Sequence, residues 1–565
     1  MRQLIKNKRA LGIFVLLMIT SFSSCETTNL NLQNDPFELT EDSADPAFVF
    51  NGIQATFATQ IIVASAIVEP LMDHSNLFGT FAGSAGTNAM TANWQSTYSL
   101  TSNLNFLKSL SENSNVPQHI GVSQILEAYS YILLVDYIGT AVYSEAVNAE
   151  FENPNLDSGE SIYNAMYTQL DEAIINLGKD NSITLEDIFY NGDTAQWIKL
   201  ANTLKLRMYV QSKLVATPDM VSALNNIITS GNYITEAEDD LVVQYGTSIT
   251  NPDNRSVYFQ AQYGEGQNAG NVYQSNGFMN LLLNTKTIAD PRAKYYFYRQ
   301  DLNDPIDDDI DHCTEAFNFC YLGNGYIGRD RGDDEGIPND GETRVAYGIY
   351  PAGGAYDGAG TQTEETAIAT ENYDPNSGLT LEEHISKELL NLNPATSLSS
   401  NLGGEGIFPI LTNSFVKFLL AEASLPAPQG MGASGSSITL LEEAIKASFN
   451  KVESVSGIPM DAISVDTYIT EVLQEFTDAS PEKKLEIIIR EYYIANYGNS
   501  IEAYNAYRRT GYPDLQKHVL PSGGEFPRSF FIPASELDTN NNPNLVQKEL
   551  TDQVFWDTNP AGFID

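Results

Sequence analysis

Cys25 is the first residue placed for chemistry. It follows Ser23 and Ser24 directly, and a cysteine after two small residues near the N-terminus is positioned to carry a diacylglycerol on its thiol. Upstream, Arg2, Lys6, Lys8 and Arg9 make a basic region and residues 10–19 an apolar one, too short to span a bilayer as a helix. The layout is that of a cleaved secretory signal of the lipoprotein type, although Phe22 stands where that pattern usually has Leu. Cys313 and Cys320, with six residues between them, can close a small disulfide loop in an oxidising compartment. The other reading pairs them with His312 on a metal, but no second Cys/His cluster completes such a site, and the disulfide is favoured. The acidic runs 304–311 and 331–342 offer oxygen ligands of the kind Ca²⁺ takes, without EF-hand spacing, and read more simply as solvated loops. No other cofactor is implied.

Seventy-three Asp and Glu guarantee close carboxylate pairs by chance, and a glycosidase needs two at a set separation that sequence does not show. Asp136 reads as a hydrogen-bonding residue at a helix end, and Glu491, beside Arg490, as an ion-pair partner. The five histidines make no HExxH, and neither GxSxG nor a P-loop is present. Arg331-Gly332-Asp333 is a coincidence of three residues in a Gly/Asp-rich loop. The chain is therefore read as a non-enzyme.

The elements that must position any site are mostly helical. Val122, Ile125, Leu126, Tyr129, Ile132 and Leu133 recur at helical spacing, as do Ile162, Met166, Leu170, Ala173, Ile174 and Leu177, and then Trp197, Leu200, Ala201, Leu204 and Met208. Successive helices with short joins predict stacked pairs. From 231 to 409 Gly, Asn, Asp and Tyr rise, and short strands such as Leu241-Val242-Val243 are expected among long loops. Helices return over 415–423 and 440–449. Ser480-Pro481-Glu482 opens another, with Leu485, Ile488, Ile489 and Tyr492 on its buried face. Ser500 is expected to cap the last helix, which stops at Gly511. The organisation expected is a signal at 1–24, a tether at 25–45 and one domain over 46–565, helical at 46–230 and 410–513. No segment after the signal is read as apolar enough to cross a membrane. Loss of the four basic signal residues takes the net charge from −43 to −47, a surface that repels nucleic acid and anionic lipid.

Four segments carry a resemblance. EAYSYILLVDYIGTAVYSEA (127–146), TAQWIKLANTLKLRMYVQ (194–211), REYYIANYGNSIEAYNAYRRTGYP (490–513) and PRSFFIPASELDTNNNPN (527–544) resemble, in this order, motifs of the SusD/RagB family of Bacteroidetes lipoproteins. One departure is Val142, where relatives often have Pro. The resemblance implies a mainly α fold, a tetratricopeptide-like helical bundle with an irregular loop-rich face and a few short strands. It implies capture of oligosaccharide or polysaccharide at the cell surface and delivery to a SusC-like TonB-dependent transporter of the outer membrane. Peptide capture of the RagB kind is the alternative, and glycoside hydrolysis a more distant one. The shared segments are structural and name no ligand residues.

Those come from residue type. Sugar rings present apolar C–H faces that stack on aromatics, while their hydroxyls need Asn, Asp and backbone partners. Phe78 and Phe81 lie in a Gly/Asn/Ser-rich loop (73–90) ahead of Trp94, and Tyr347, Tyr350 and Tyr356 in a second Gly-rich loop. The two loops are expected to meet in one shallow ligand surface. For Trp94 an equal reading starts the next helix there and packs it inward, whereas Trp197 belongs to the core.

Overall fold

In the computed structural model, residues 44–250, 252–263, 274–297, 328–333, 375, 404–519 and 523–564 are described. Helix α1 spans Pro46–Val68, α2 Thr91–Ser114, α3 Pro117–Ile138, α4 Gly159–Leu177, α5 Thr194–Gln211 and α6 Pro218–Ser230. Local chemistry sets these limits. Pro117 opens α3 at its first turn and Gly139, in the left-handed region, closes it. Ser158 caps α4 and Asp193 caps α5 through backbone N–H groups. Nearly every residue of α3 from Val122 to Ile138 is buried, as a helix apolar on all sides must be. It lies between α2 and α4, and Gly121 permits the close approach: a Cβ there would stand 2.9 Å from the Ala173 carbonyl oxygen of α4. The stripes expected on α4 and α5 face inward, and Trp197 is fully buried with its Nε1 donating to Asp187 (3.1 Å).

The expectation that no later segment is apolar enough to cross a membrane is corrected by α1, which has the length and mean hydropathy (1.4) to do so. Its place is nevertheless in the protein core. Phe50, Ile53, Phe57 and Ile61 pack inward, and buried Gln60 donates to the Asn93 carbonyl oxygen (3.1 Å) and to Thr97 (2.8 Å) while accepting from Ser130 (2.7 Å).

Two short antiparallel ladders complete the first half. Strand β1 (Thr140–Ala141) pairs with β2 (Asp157–Ser158), and β3 (Leu241–Tyr245) with β4 (Gly406–Leu411). The second ladder sets Tyr245 opposite Gly406, so the intervening reach leaves and returns at one place. Within that reach lies α7 (Asn276–Asn284). Beyond it follow α8 (Asn413–Ser424), α9 (Ser437–Ser456), α10 (Ala462–Asp478), α11 (Pro481–Ala495) and α12 (Ile501–Thr510). Sequential helices pack as pairs, α8 also meets α5 and α11, and α12 returns to α1. Mainly α architecture with few short strands is thus observed. Ser480 caps α11 as expected and Gly511 ends α12 with φ +76°. Ser500 does not cap α12; its hydroxyl is engaged by His74 instead.

Acids inside the bundle are matched by donors. Asp136 is fully buried and accepts from Tyr163, from Arg207 Nη2 (3.0 Å), Asn505 Nδ2 (3.1 Å) and Trp556 Nε1 (3.0 Å). Burial opposes ionisation of Glu491, yet Lys286, Arg490 and Arg292 outweigh it and hold the carboxyl at about 2. Both acids therefore occupy the pairing roles their sequence contexts suggest.

Candidate ligand-binding face

Between α1 and α2 the chain runs through residues 69–90 and is held there by three remote segments. Ser75 bridges Gln274, and Ser275 bridges Arg329. Gly332 N donates to Leu77 O (2.7 Å), Phe81 N to Gly523 O (3.0 Å) and Val519 N to Arg331 O (2.9 Å). Residues 71–81, 274–279, 328–333, 516–519 and 523–526 are thereby joined by backbone hydrogen bonds.

Buried side chains fasten it to the bundle. His74 sits between the Ser500 hydroxyl (2.7 Å) and the Tyr493 carbonyl oxygen (3.0 Å) and stacks on the Tyr493 ring at 4.4 Å. Burial pushes its imidazole down to about 3, so it is neutral at physiological pH. Arg331 donates to Leu71 O (2.5 Å) and Gln516 O (3.2 Å), and its guanidinium lies 4.9 Å from the centre of the Phe81 ring. Asp73, in the left-handed region at φ +59°, is buried with one carboxylate oxygen lacking a hydrogen-bond partner among the described residues. Burial raises its carboxyl to about 7 against the lowering influence of Arg331 and a Ser275 hydrogen bond, with Asp330 adding to the rise. Its other oxygen approaches α7 where only glycine fits, since a Cβ on Gly277 would lie 2.4 Å away.

The aromatics expected to contact ligand separate here. Phe78 is 58% exposed. Phe81, expected to share that role, is buried against Arg331, His518 and Phe526. Trp94 is buried too, edge-on to Tyr98 at 5.3 Å with its Nε1 donating to Glu536 (3.3 Å). Both expectations are corrected for one reason: remote segments cover each ring, Arg331, His518 and Phe526 over Phe81 and Glu536 against Trp94, and neither leaves a ring face for stacking. Arg331, Gly332 and Asp333 are buried as well, so this tripeptide is not presented to a partner. Tyr347, Tyr350, Tyr356, Cys25, Cys313, Cys320, the run 304–311 and residues 334–342 lie outside the described residues. Among the described residues no group of three His, Cys, Asp or Glu is placed to hold a metal.

Sequence reasoning passed over His74, Asp73 and His518, and met Arg331 only as part of a coincidental tripeptide. Their only early signal was a glycine close in sequence to the last two, at Gly332 and at Gly523-Gly524.

A cleft of about 370 Å³ also opens between α8 and α9, lined by Asn413, Lys417, Glu443, Lys446, Asn450 and Lys451 among others. Its lysines are engaged within the protein: Lys417 donates to Thr235 O (2.6 Å), Lys446 to Glu442 (2.6 Å), and Lys451 pairs with Asp240. No aromatic ring lines it.

Comparison with known proteins agrees with this geometry. No curated protein matches the sequence. A SusD homologue from Bacteroides uniformis superposes with a TM-score of 0.64 at 19% identity, covering 91% of this chain and all of that one. A chitin-binding protein gives 0.63 at 20%, covering 91% and 100%. A chitin-binding SusD homologue from Flavobacterium johnsoniae gives 0.60 at 19%, covering 91% and 98%. At these identities the likeness establishes the fold. The family match is in sequence: residues 38–310 and 365–533 fit the SusD-like family described as starch-binding associating with outer membrane. With most of its length matched, the chain belongs to the SusD-like family.

Proposed function

We propose that this protein is a non-catalytic, cell-surface glycan-capturing lipoprotein. It holds oligosaccharide against the Phe78 face and passes it to a SusC-like TonB-dependent transporter of the outer membrane. The observation that carries the reading is Phe78: an exposed ring on a loop that three remote chain segments hold in place, in a family described as starch-binding. A ring held in this way offers stacking area at low entropic cost. The Asn76 amide lies 3.5 Å from the carbonyl oxygen of Asp333, the last described residue before Tyr347, Tyr350 and Tyr356. The chitin-binding neighbours share the fold and agree with a sugar ligand.

Titration calorimetry with starch- and chitin-derived oligosaccharides tests the reading. Wild type should bind one class, and Phe78→Ala should weaken that binding about five- to thirty-fold, the effect of one stacking ring worth about 1–2 kcal/mol. Peptide binding with no sugar binding would replace this reading with the peptide-capture one. Turnover of the bound sugar would end the non-catalytic claim. Anchoring has its own check: Cys25→Ala should release the protein from membranes, and protease added to intact cells should digest the wild type. Protection in intact cells would put it on the periplasmic leaflet.

A further inference from the structure

Phe78 works as a stacking surface only if its loop is held still, and the group at the centre of the hold is His518. This residue is half-buried on the segment after α12. Two glycines lie against its ring. A Cβ on Gly332 would come within 2.2 Å of Cε1, and one on Gly523 within 2.5 Å of Nδ1. Side-chain carbons do not approach so closely, so a side chain at either place would displace the imidazole. His518 Nε2 lies 2.7 Å from the carbonyl oxygen of Gly79, the residue directly after Phe78, a contact that requires the proton on Nε2. Gly79 itself turns through the left-handed region at φ +76°. Phe81 meets the imidazole edge to face at 5.2 Å. The backbone bonds Gly332 N to Leu77 O and Phe81 N to Gly523 O flank the ring.

We infer that His518 is the positioning residue of the capture surface, clasping the 77–81, 331–333 and 523–526 segments so that Phe78 is presented in one orientation. The inference rests on the reading that Phe78 stacks on a sugar. Its physical basis is preorganisation: a loop already ordered in the bound conformation loses less entropy when the ligand arrives.

Purified wild type, Phe78→Ala, His518→Ala, His518→Gln, Gly523→Ala and the Phe78→Ala/His518→Ala double variant would be titrated with maltoheptaose and with chitohexaose. Hydrogen–deuterium exchange would be followed on each. We expect His518→Ala to weaken binding about five-fold alone and less than two-fold in the Phe78→Ala background, because both changes remove the same presented ring. His518→Gln keeps an N–H donor and should recover part of the loss. Gly523→Ala, which pushes the imidazole aside, should reproduce the loss. In His518→Ala the amides of Phe81 and Gly332 should exchange faster while those of α3 keep their protection. Unchanged protection at Phe81 and Gly332 overturns the clasp whether or not either sugar binds. Equal losses with and without Phe78 show that His518 acts elsewhere and also overturn it. A Phe78→Ala variant that binds like wild type sinks the reading of the site instead, and the exchange data then still decide the clasp.

Discussion

Around Asp136 the helical bundle is tied by side-chain charge; around Phe78 the chain is tied by backbone hydrogen bonds and by side chains seated on glycine. In the first region a carboxylate is surrounded by Tyr163, Arg207, Asn505 and Trp556, and Arg207 turns its Nε to Glu502 at 2.6 Å. In the second, Asp73 keeps an oxygen with no partner among the described residues, and His518 and Asp73 press on Gly332, Gly523 and Gly277. The contrast separates two tasks. Interlocked ion pairs fix how helices stack, since removing any partner strands a buried charge. Backbone ties and glycine contacts let irregular segments approach closely and leave a ring such as Phe78 outside.

The comparison can be broken first at Asp136. Asp136→Ala leaves Arg207 without one of its two buried carboxylates and should destabilise the fold by about 3–5 kcal/mol, read from the urea midpoint. A loss below about 1 kcal/mol would mean the hub contributes little to the stacking of α3, α5 and α12.

Asp73 provides the next test. Its folded carboxyl sits near 7 against an ordinary 3.8, so the folded state holds a proton that the unfolded state gives up between these values. The unfolded state binds fewer protons there, and stability falls as pH rises from about 4 to 7, then levels off. Asp73→Asn should remove that fall, gaining on the order of 4 kcal/mol at pH 8 and close to nothing at pH 4. Equal denaturation midpoints at pH 8 for wild type and variant would mean that Arg331 and Ser275 fully offset the burial.

Phe81 and Phe78, three residues apart, sharpen the contrast within one loop. Phe81→Ala should cost about 3–5 kcal/mol, because a buried ring against Arg331, His518 and Phe526 is lost. Phe78→Ala should leave the melting temperature essentially unchanged, within about 0.5 kcal/mol, as an exposed side chain does. If Phe78→Ala melts as early as Phe81→Ala, its ring is structural and the contrast within the loop fails.

What the sequence determined by itself is the part governed by local chemistry. The 3–4–3 spacing of Val122 to Leu133, the cap at Ser480 and the stop at Gly511 depend on neighbours within a turn or two, and the helices appear where those signals lie. Family membership was legible for a related reason: three of the four matching segments are helix-forming and helix-ending stretches. Tertiary structure alone decided which loop aromatics face outward. Phe78 and Phe81 share a loop and a residue type, and their fates diverge because Gly523, Arg331 and His518, all more than two hundred residues away in sequence, cover one and leave the other. Trp94 was open between two readings until Glu536, from the far end of the chain, met its indole. Ser500 carries a helix-cap residue type, yet its hydroxyl serves His74, a partner no local pattern identifies. Covering and partnering of this kind come from segments that only folding brings together, so no spacing along the chain records them.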